Sequence, residues 1–210
     1  MNNILVIVAH PDDETLSCGG ALAKHVACGD NVTCLVMTDN YRSPNISGHF
    51  GEAMQVLKVQ NYRLLGMPDM KLETFTLWEL SERIEDVVKE IGAPDIVYTH
   101  CKNDLSQDHR LTFLAAMTAL RPVWDKAFSI YSFESPSSTE WSGVPFNANL
   151  FIDINGYLKQ KLEAIDCYCT EVRPFPHPRS QESLTARAIY WGSYCGVEYA
   201  EAFEVVREVR

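Results

Sequence analysis

Basic residues are scarce in this chain of 210 residues: 18 lysines and arginines stand against 28 acids, for a formal net charge of −10. Nucleic-acid partners need a basic face, so general affinity for them is excluded, and an anionic small molecule would need local cations. No apolar run approaches the roughly 18 residues that cross a bilayer, so no transmembrane segment is expected. The first residues enter an apolar, strand-like segment without a basic leader, and a cytoplasmic protein is expected. Low-complexity tracts are absent too, and the composition is that of a folded domain, 46% hydrophobic and 22% charged. The seven cysteines, Cys18, Cys28, Cys34, Cys101, Cys167, Cys169 and Cys195, form no CxxC pair and no paired framework. That excludes a disulfide scaffold and predicts free thiols in a reducing compartment.

What is present is an alternation of strand-type runs with segments of helical period, the pattern of a parallel sheet covered by helices. NILVIVA (Asn3 to Ala9) is continuously apolar, as a strand buried on both faces should be. Helix is expected from Glu14 to Cys28 and closed by Gly29, then strand over Asn31 to Thr38. A polar stretch from Asp39 to Gly48 leads to helix over Phe50 to Val59 and a short strand over Tyr62 to Leu65. Thr76 to Ile91 places Leu77, Leu80, Ile84, Val87, Val88 and Ile91 near period 3.6, an amphipathic helix. DIVYTH (Asp95 to His100) is the next strand, after which Asp108 is expected to cap a helix toward Leu120. In the last third, strands are expected over Phe128 to Phe133 and Asn149 to Ile154, helices over Leu158 to Cys169 and Glu182 to Tyr190, and a pairing strand in the tail. No linker or repeat divides residues 1 to 210. The expected fold is one doubly wound α/β domain, with a mostly parallel sheet, helices on both faces and a C-terminal elaboration.

Two polar clusters follow the C-terminal ends of predicted central strands, where open parallel sheets bind ligands. The first is His10-Pro11-Asp12-Asp13-Glu14; the second runs from His100 to Arg110 and includes Asp104, Asp108 and His109. Imidazoles and carboxylates together are the ligand set that zinc prefers. In a tight turn residues i and i+3 can point the same way, so His10 and Asp13 can grip one ion, and His109 would complete a triad with a fourth position open for water and substrate. Zinc lowers the pKa of a coordinated water to about 7. Asp12, directed elsewhere, is then the neighbouring carboxylate that can take the water's proton. A helix cap alone would explain one acid here, but not His-Pro followed by three.

The motifs AHPDDE (Ala9 to Glu14), GGxLA (Gly19 to Ala23) and DHR (Asp108 to Arg110) resemble the PIG-L/LmbE family of zinc-dependent N-deacetylases. RPFPHPRS (Arg173 to Ser180) and YAEAFEVVR (Tyr199 to Arg207) resemble C-terminal blocks of bacterial members, so the likeness runs along nearly the whole chain. The resemblance implies a Rossmann-like fold and removal of an acetyl group from an N-acetylated amino sugar or its conjugate, whether nucleotide-linked sugar, glycan or secondary-metabolite precursor. It implies one zinc ion per chain, with another divalent cation as substitute, held by His10, Asp13 and His109, with Asp12 as general base. It also implies that Gly19 and Gly20 let a helix approach the sheet closely. Many members carry HPDH in the second block, whose first histidine is thought to polarise the carbonyl or donate a proton. Here Ser106 stands in that place, and His177, in a proline-fixed loop, is the candidate substitute.

Glu14 is expected to orient a ligand histidine or serve the helix N-terminus, and Asp108 to cap or to orient. His100 and Asp104 read as structural, His25 and His49 as structural or surface residues, and Cys101 as filler. For substrate, Arg42 with Glu52 as its partner, Arg63, Lys102, Arg173 and Arg179 supply cations near the predicted mouth, and Trp141 can stack on a sugar face. A homo-oligomer is expected only by analogy with relatives. Two alternatives stay open: a metal-dependent phosphoesterase, against which only one metal's worth of ligands is evident, and a non-catalytic sugar- or nucleotide-binding protein, for which Asp12 would have no use.

Overall fold

The computed structural model describes residues 1–39, 45–122 and 126–208. Among them, seven strands form one sheet: β1 (Asn3–Val8), β2 (Asn31–Thr38), β3 (Asn61–Met67), β4 (Ile96–His100), β5 (Ser129–Phe133), β6 (Leu150–Asp153) and β7 (Ala200–Arg207). Their order is β3-β2-β1-β4-β5-β7-β6, parallel from β3 through β5, with β7 antiparallel to both its neighbours. The helices are α1 (Asp13–Ala27), α2 (Ile46–Leu57), α3 (Leu77–Ile91), α4 (Gln107–Ala119), α5 (Leu158–Cys167) and α6 (Gln181–Cys195).

The alternation of side chains along β1 explains why its run is apolar throughout. Ile4, Val6 and Val8 enter a core with Leu22, Phe50, Met54 and Ala164 from α1, α2 and α5, while Leu5 and Ile7 enter the opposite core with Ile84, Val88 and Ala116 from α3 and α4. Because β1 is flanked by β2 on one side and β4 on the other, the strand order reverses between β1 and β4. A crevice opens there at the C-terminal strand ends, and both polar clusters of the sequence run into it.

Several boundaries move. α2 begins at Ile46, a turn before the expected Phe50, because Ile46 is itself a core residue. β3 continues to Met67 rather than stopping at Leu65, and α6 runs on to Cys195, closed by Gly196 in the left-handed region. α3 starts where the amphipathic pattern starts, because a reciprocal cap fixes it: Thr76 Oγ1 accepts from the Glu79 N–H at 3.2 Å and Glu79 Oε2 from the Thr76 N–H at 2.7 Å. α4 is capped by Ser106, whose Oγ accepts from the His109 N–H at 3.4 Å, and not by Asp108.

α1 is bent at Cys18 (φ −137°, ψ 18°), which frees two amides just beyond the bend. The N–H groups of Gly20 and Ala21 donate to the Glu201 carboxylate at 2.9 and 2.7 Å, and Lys161 Nζ pairs with the same carboxylate at 2.6 Å. The close approach served by the glycine pair is to Ile154 and α5: a Cβ on Gly20 would meet Ile154 at 2.9 Å, and one on Gly19 would meet Lys161 Cγ at 3.2 Å. Gly20→Ala is therefore expected to destabilise the fold by about 1–3 kcal/mol, read as a lower denaturation midpoint.

Candidate active site

The turn after β1 is built by its own sequence. The Asp13 N–H donates to the His10 carbonyl at 3.3 Å and the His10 N–H to Asp13 Oδ2 at 2.9 Å, so both side chains face the same way. His109, from the first turn of α4, meets them from across the crevice. His10 Nδ1 lies 3.2 Å from Asp13 Oδ2 and 3.2 Å from His109 Nε2, and His109 Nε2 lies 3.3 Å from Asp13 Oδ2. Tetrahedral coordination with bonds of about 2.0–2.1 Å separates its donors by about 3.3–3.4 Å, so the spacing and chemistry of this triangle fit a zinc-sized ion.

Charges around the triangle agree with a cation site. Burial opposes charge on His10, yet its hydrogen bonds with Asp108, Asp13 and Asp69 hold its pKa well above the usual histidine range. Burial opposes charge on His109 as well, but Asp13 and Asp104 raise its pKa to about 8. Asp13 is kept well below the usual carboxylate range against its burial, chiefly by the charge of His109 and by its hydrogen bond with His10. Without an ion, protons on His10 and His109 supply the positive charge that buried carboxylates demand. Zinc affinity is accordingly expected to rise with pH through about 8, as His109 sheds its proton, and to go on rising until His10 has shed its own. Metal titrations across that range check this.

The remaining groups fall into place around the three donors. Asp69 and Asp108 stand 3.1 and 3.3 Å from His10 Nε2, fixing the ring with Nδ1 toward the triangle. Asp108 Oδ2 also accepts from the Met70 N–H at 2.8 Å. Asp104 Oδ1 lies 3.0 Å from His109 Nδ1, although the ring N–H is off the line to it, and the same carboxylate accepts from the Ser106 N–H at 2.8 Å, from Thr139 Oγ1 at 2.6 Å and from the Ser138 hydroxyl. His109 above all, with the Ser138 and Thr139 hydroxyls, holds the pKa of Asp104 down to about 2 despite its burial. His100 is spent on structure: Nε2 accepts from the Ala9 N–H at 2.9 Å, Nδ1 donates to Ser135 Oγ at 3.0 Å, and the ring stacks on His109 at 3.9 Å. Burial and the neighbouring His109 lower its pKa to about 4, so it is neutral.

Asp12 sits at the N-cap of α1, but its side chain makes no cap. Its backbone is held at φ 122°, a strained position for a residue with a side chain. Glu14 supports that turn: Oε2 accepts from the Asp12 N–H at 3.1 Å, and Oε1 from Tyr168 Oη at 2.5 Å and Thr15 Oγ1 at 2.6 Å. Glu14 thus braces the N-terminus of α1, the second of its two expected roles, and its bonds go to neither His10 nor His109, so the orienting role is corrected. Asp12 Oδ2 accepts from Arg179 Nη1 at 2.8 Å. Burial, opposed by Arg179 and reinforced by Asp13 and Glu14, lifts the pKa of Asp12 to about 8.

A cavity of about 620 Å³ opens over these groups, a size suited to a small ligand. Its wall includes His10, Asp12, His109, Asp108, Ser137 and Arg179. His177 is not part of that wall; its Nδ1 accepts from the Arg179 N–H at 3.1 Å, so its loop brings Arg179 to the cavity instead. Of the other residues expected at the mouth, Arg42 lies outside the described residues. Lys102 is turned toward Glu204, 4.0 Å away; Arg63 pairs with Glu90 at 2.5 Å; Arg173 donates to the Thr170 and Val172 carbonyls. Glu52 is exposed on α2, and Trp141, 71% exposed, is off the cavity wall. Charge type and loop position placed these residues near the site, but existing partners or the direction of their element take them away from it. His25 bridges Asp30 and Tyr98, His49 lies 3.8 Å from Cys169 Sγ, and Cys101 is a buried thiol pushed up to about 11 by burial.

Asp69, Glu171 and Tyr168 were not anticipated. Asp69 obeys the rule that revealed the other clusters, a polar residue just past a parallel strand. It was hidden because the strand was expected to end at Leu65.

Fold and site together define an open α/β domain that gathers a His-Asp-His donor set and a further buried carboxylate at the switch point of its sheet. The chain belongs to the family described as PIG-L: GlcNAc-PI de-N-acetylase, whose sequence profile matches residues 5–120. The uncharacterized deacetylase YaiS of Escherichia coli (strain K12) is 31% identical over 143 residues, 64% of this chain and 75% of that protein. The conserved protein TT1542 from Thermus thermophilus superposes with a TM-score of 0.82 at 26% identity, over 100% of this chain and 97% of that one. The N,N'-diacetylchitobiose deacetylase from Pyrococcus horikoshii gives 0.79 at 22% identity, over 98% of this chain and 84% of that one, a likeness of fold. No helix among the described residues is long and apolar enough to cross a membrane.

Proposed function

We propose that this chain is a zinc-dependent hydrolase that removes the acetyl group from an N-acetylated amino sugar or its conjugate. The observation that carries the reading is the convergence of His10 Nδ1, Asp13 Oδ2 and His109 Nε2 beside an aspartate, Asp12, whose side chain is not used to cap its helix. A bound divalent cation supplies Lewis acidity and makes a coordinated water acidic. His10, Asp13 and His109 would hold it, with Asp69, Asp108 and Asp104 keeping the histidine rings in place. Asp12 takes the proton from the attacking water as its oxygen adds to the amide carbonyl, and returns it to the nitrogen as the C–N bond breaks, leaving acetate and the free amine. Arg179 fixes the Asp12 carboxylate and offers a permanent N–H donor at the cavity wall, the part left open by Ser106. Ser106 itself caps the helix that carries His109.

The names of two relatives support this reading: the Escherichia coli protein is called a deacetylase and the Pyrococcus horikoshii protein an N,N'-diacetylchitobiose deacetylase. The test is acetate release from N-acetylglucosamine glycosides, run beside phosphate release from a panel of phosphomonoesters. Chelator-sensitive acetate release is expected; phosphate release without acetate would replace the reading by phosphoester hydrolysis.

A further inference from the structure

The charge of the cavity wall carries the hydrolase reading one step further, to the kind of conjugate admitted, and rests on that reading. Beyond the three donors and Asp12, the wall holds four more carboxylates: Asp69, Glu73, Asp108 and Glu171. Asp69 and Asp108 face His10, Glu73 is exposed on the short turn Leu72–Thr74, and Glu171 stands on the Arg179 side. Among the described residues of the wall, Arg179 is the one guanidinium or ammonium, and it is shared between Asp12 at 2.8 Å and Glu171 at 3.6 Å. A dication at the donor triangle does not cancel this excess of acid.

The other described residues of the wall are uncharged. Gln107 is exposed at the rim with its amide available to hydroxyls, and Met70 and Leu105, 59% and 54% exposed, offer apolar surface to the hydrocarbon face of a ring. Lys102, Arg63 and Arg173, the cations that would draw in a phosphate or carboxylate, are engaged away from the cavity.

We propose that the site selects N-acetylated sugar conjugates whose neighbouring group is uncharged or cationic, such as a second amino sugar, and discriminates against a carboxylate or phosphate next to the acetamido sugar. Among the described residues of the wall, a negative group meets Glu73 and Glu171 with no counter-charge but the shared Arg179, whereas an ammonium group finds two acceptors. Selection of this kind acts at short range and weakens as salt screens it.

The experiment compares the 2-aminoethyl, methyl and 2-carboxyethyl glycosides of N-acetylglucosamine. Binding is measured by calorimetry to the zinc-loaded Asp12→Asn chain, and acetate release with the zinc-loaded wild type. The aminoethyl glycoside is expected to bind about tenfold more tightly than the carboxyethyl one at low ionic strength, with the methyl glycoside between and the gap shrinking as salt is added. The double variant Glu73→Gln, Glu171→Gln should narrow the gap, whereas Glu82→Gln, on the exposed face of α3, should leave it unchanged. Equal or tighter binding of the carboxyethyl glycoside overturns the proposal, and so does failure of all three to bind. Absence of acetate release with the charge ranking intact removes the hydrolase reading alone and leaves the selection standing. Acetate release with a reversed ranking removes the selection alone.

Discussion

Asp12→Asn is expected to lower acetate release by about a thousandfold while the chain retains its full complement of zinc. Loss of a general base typically costs about 10²–10⁴ in rate, and Asp12 is assigned both proton transfers. The expectation depends on what the side chain does not do. It is 3% exposed and forms no helix cap, and its Oδ2 is held at 2.8 Å by Arg179 rather than by a ligand histidine. If Asp12 served only the terminus of α1, the same change would cost less than about 1 kcal/mol of stability and leave the rate untouched. Asparagine is the informative replacement because, like aspartate, it tolerates the positive φ of 122° at this turn better than most residues. Acetate assays read beside metal analysis of the purified variant separate the two outcomes.

His109→Ala is expected to abolish both zinc retention and turnover, with affinity falling by more than a hundredfold. The comparison that gives this meaning is with Asp69→Asn and Asp108→Asn. Those residues touch the far nitrogen of His10, and orienting partners of this kind are worth about 10–100-fold in metal affinity. A graded result, with the donors most severe and the orienting acids milder, is predicted from competition titrations with a chromophoric chelator. Circular dichroism of each variant shows whether the fold survives, which matters most for His109 because its ring stacks on His100 in the core of the site.

The parts of this fold legible from sequence are those in which one strong local signal operates. β1 reads as a doubly buried strand because its residues feed two cores in alternation, and α3 reads as a helix because its apolar stripe and its cap agree. The convergence of His10, Asp13 and His109 was legible for a similar reason: His10 and Asp13 lie within one turn, and His109 follows another central strand. What the sequence did not reveal depends on long-range geometry. That Glu14 would reach Tyr168, 154 positions away, and that Arg179 would cross to Asp12, 167 positions away, has no local signature. The same limit explains the scattered cations: Arg63 and Lys102 sit at plausible places in the chain, but their directions are set by Glu90 and Glu204. His177 was sought as a replacement at Ser106, yet the loop that carries it presents Arg179 two residues later.

The most direct test of the account is a zinc titration of chelator-stripped protein with acetate release from a methyl N-acetylglucosamine glycoside as readout. The account predicts no release from the stripped chain, and a linear rise that breaks at one zinc per chain. Acetate release at the full rate with no zinc bound would contradict it.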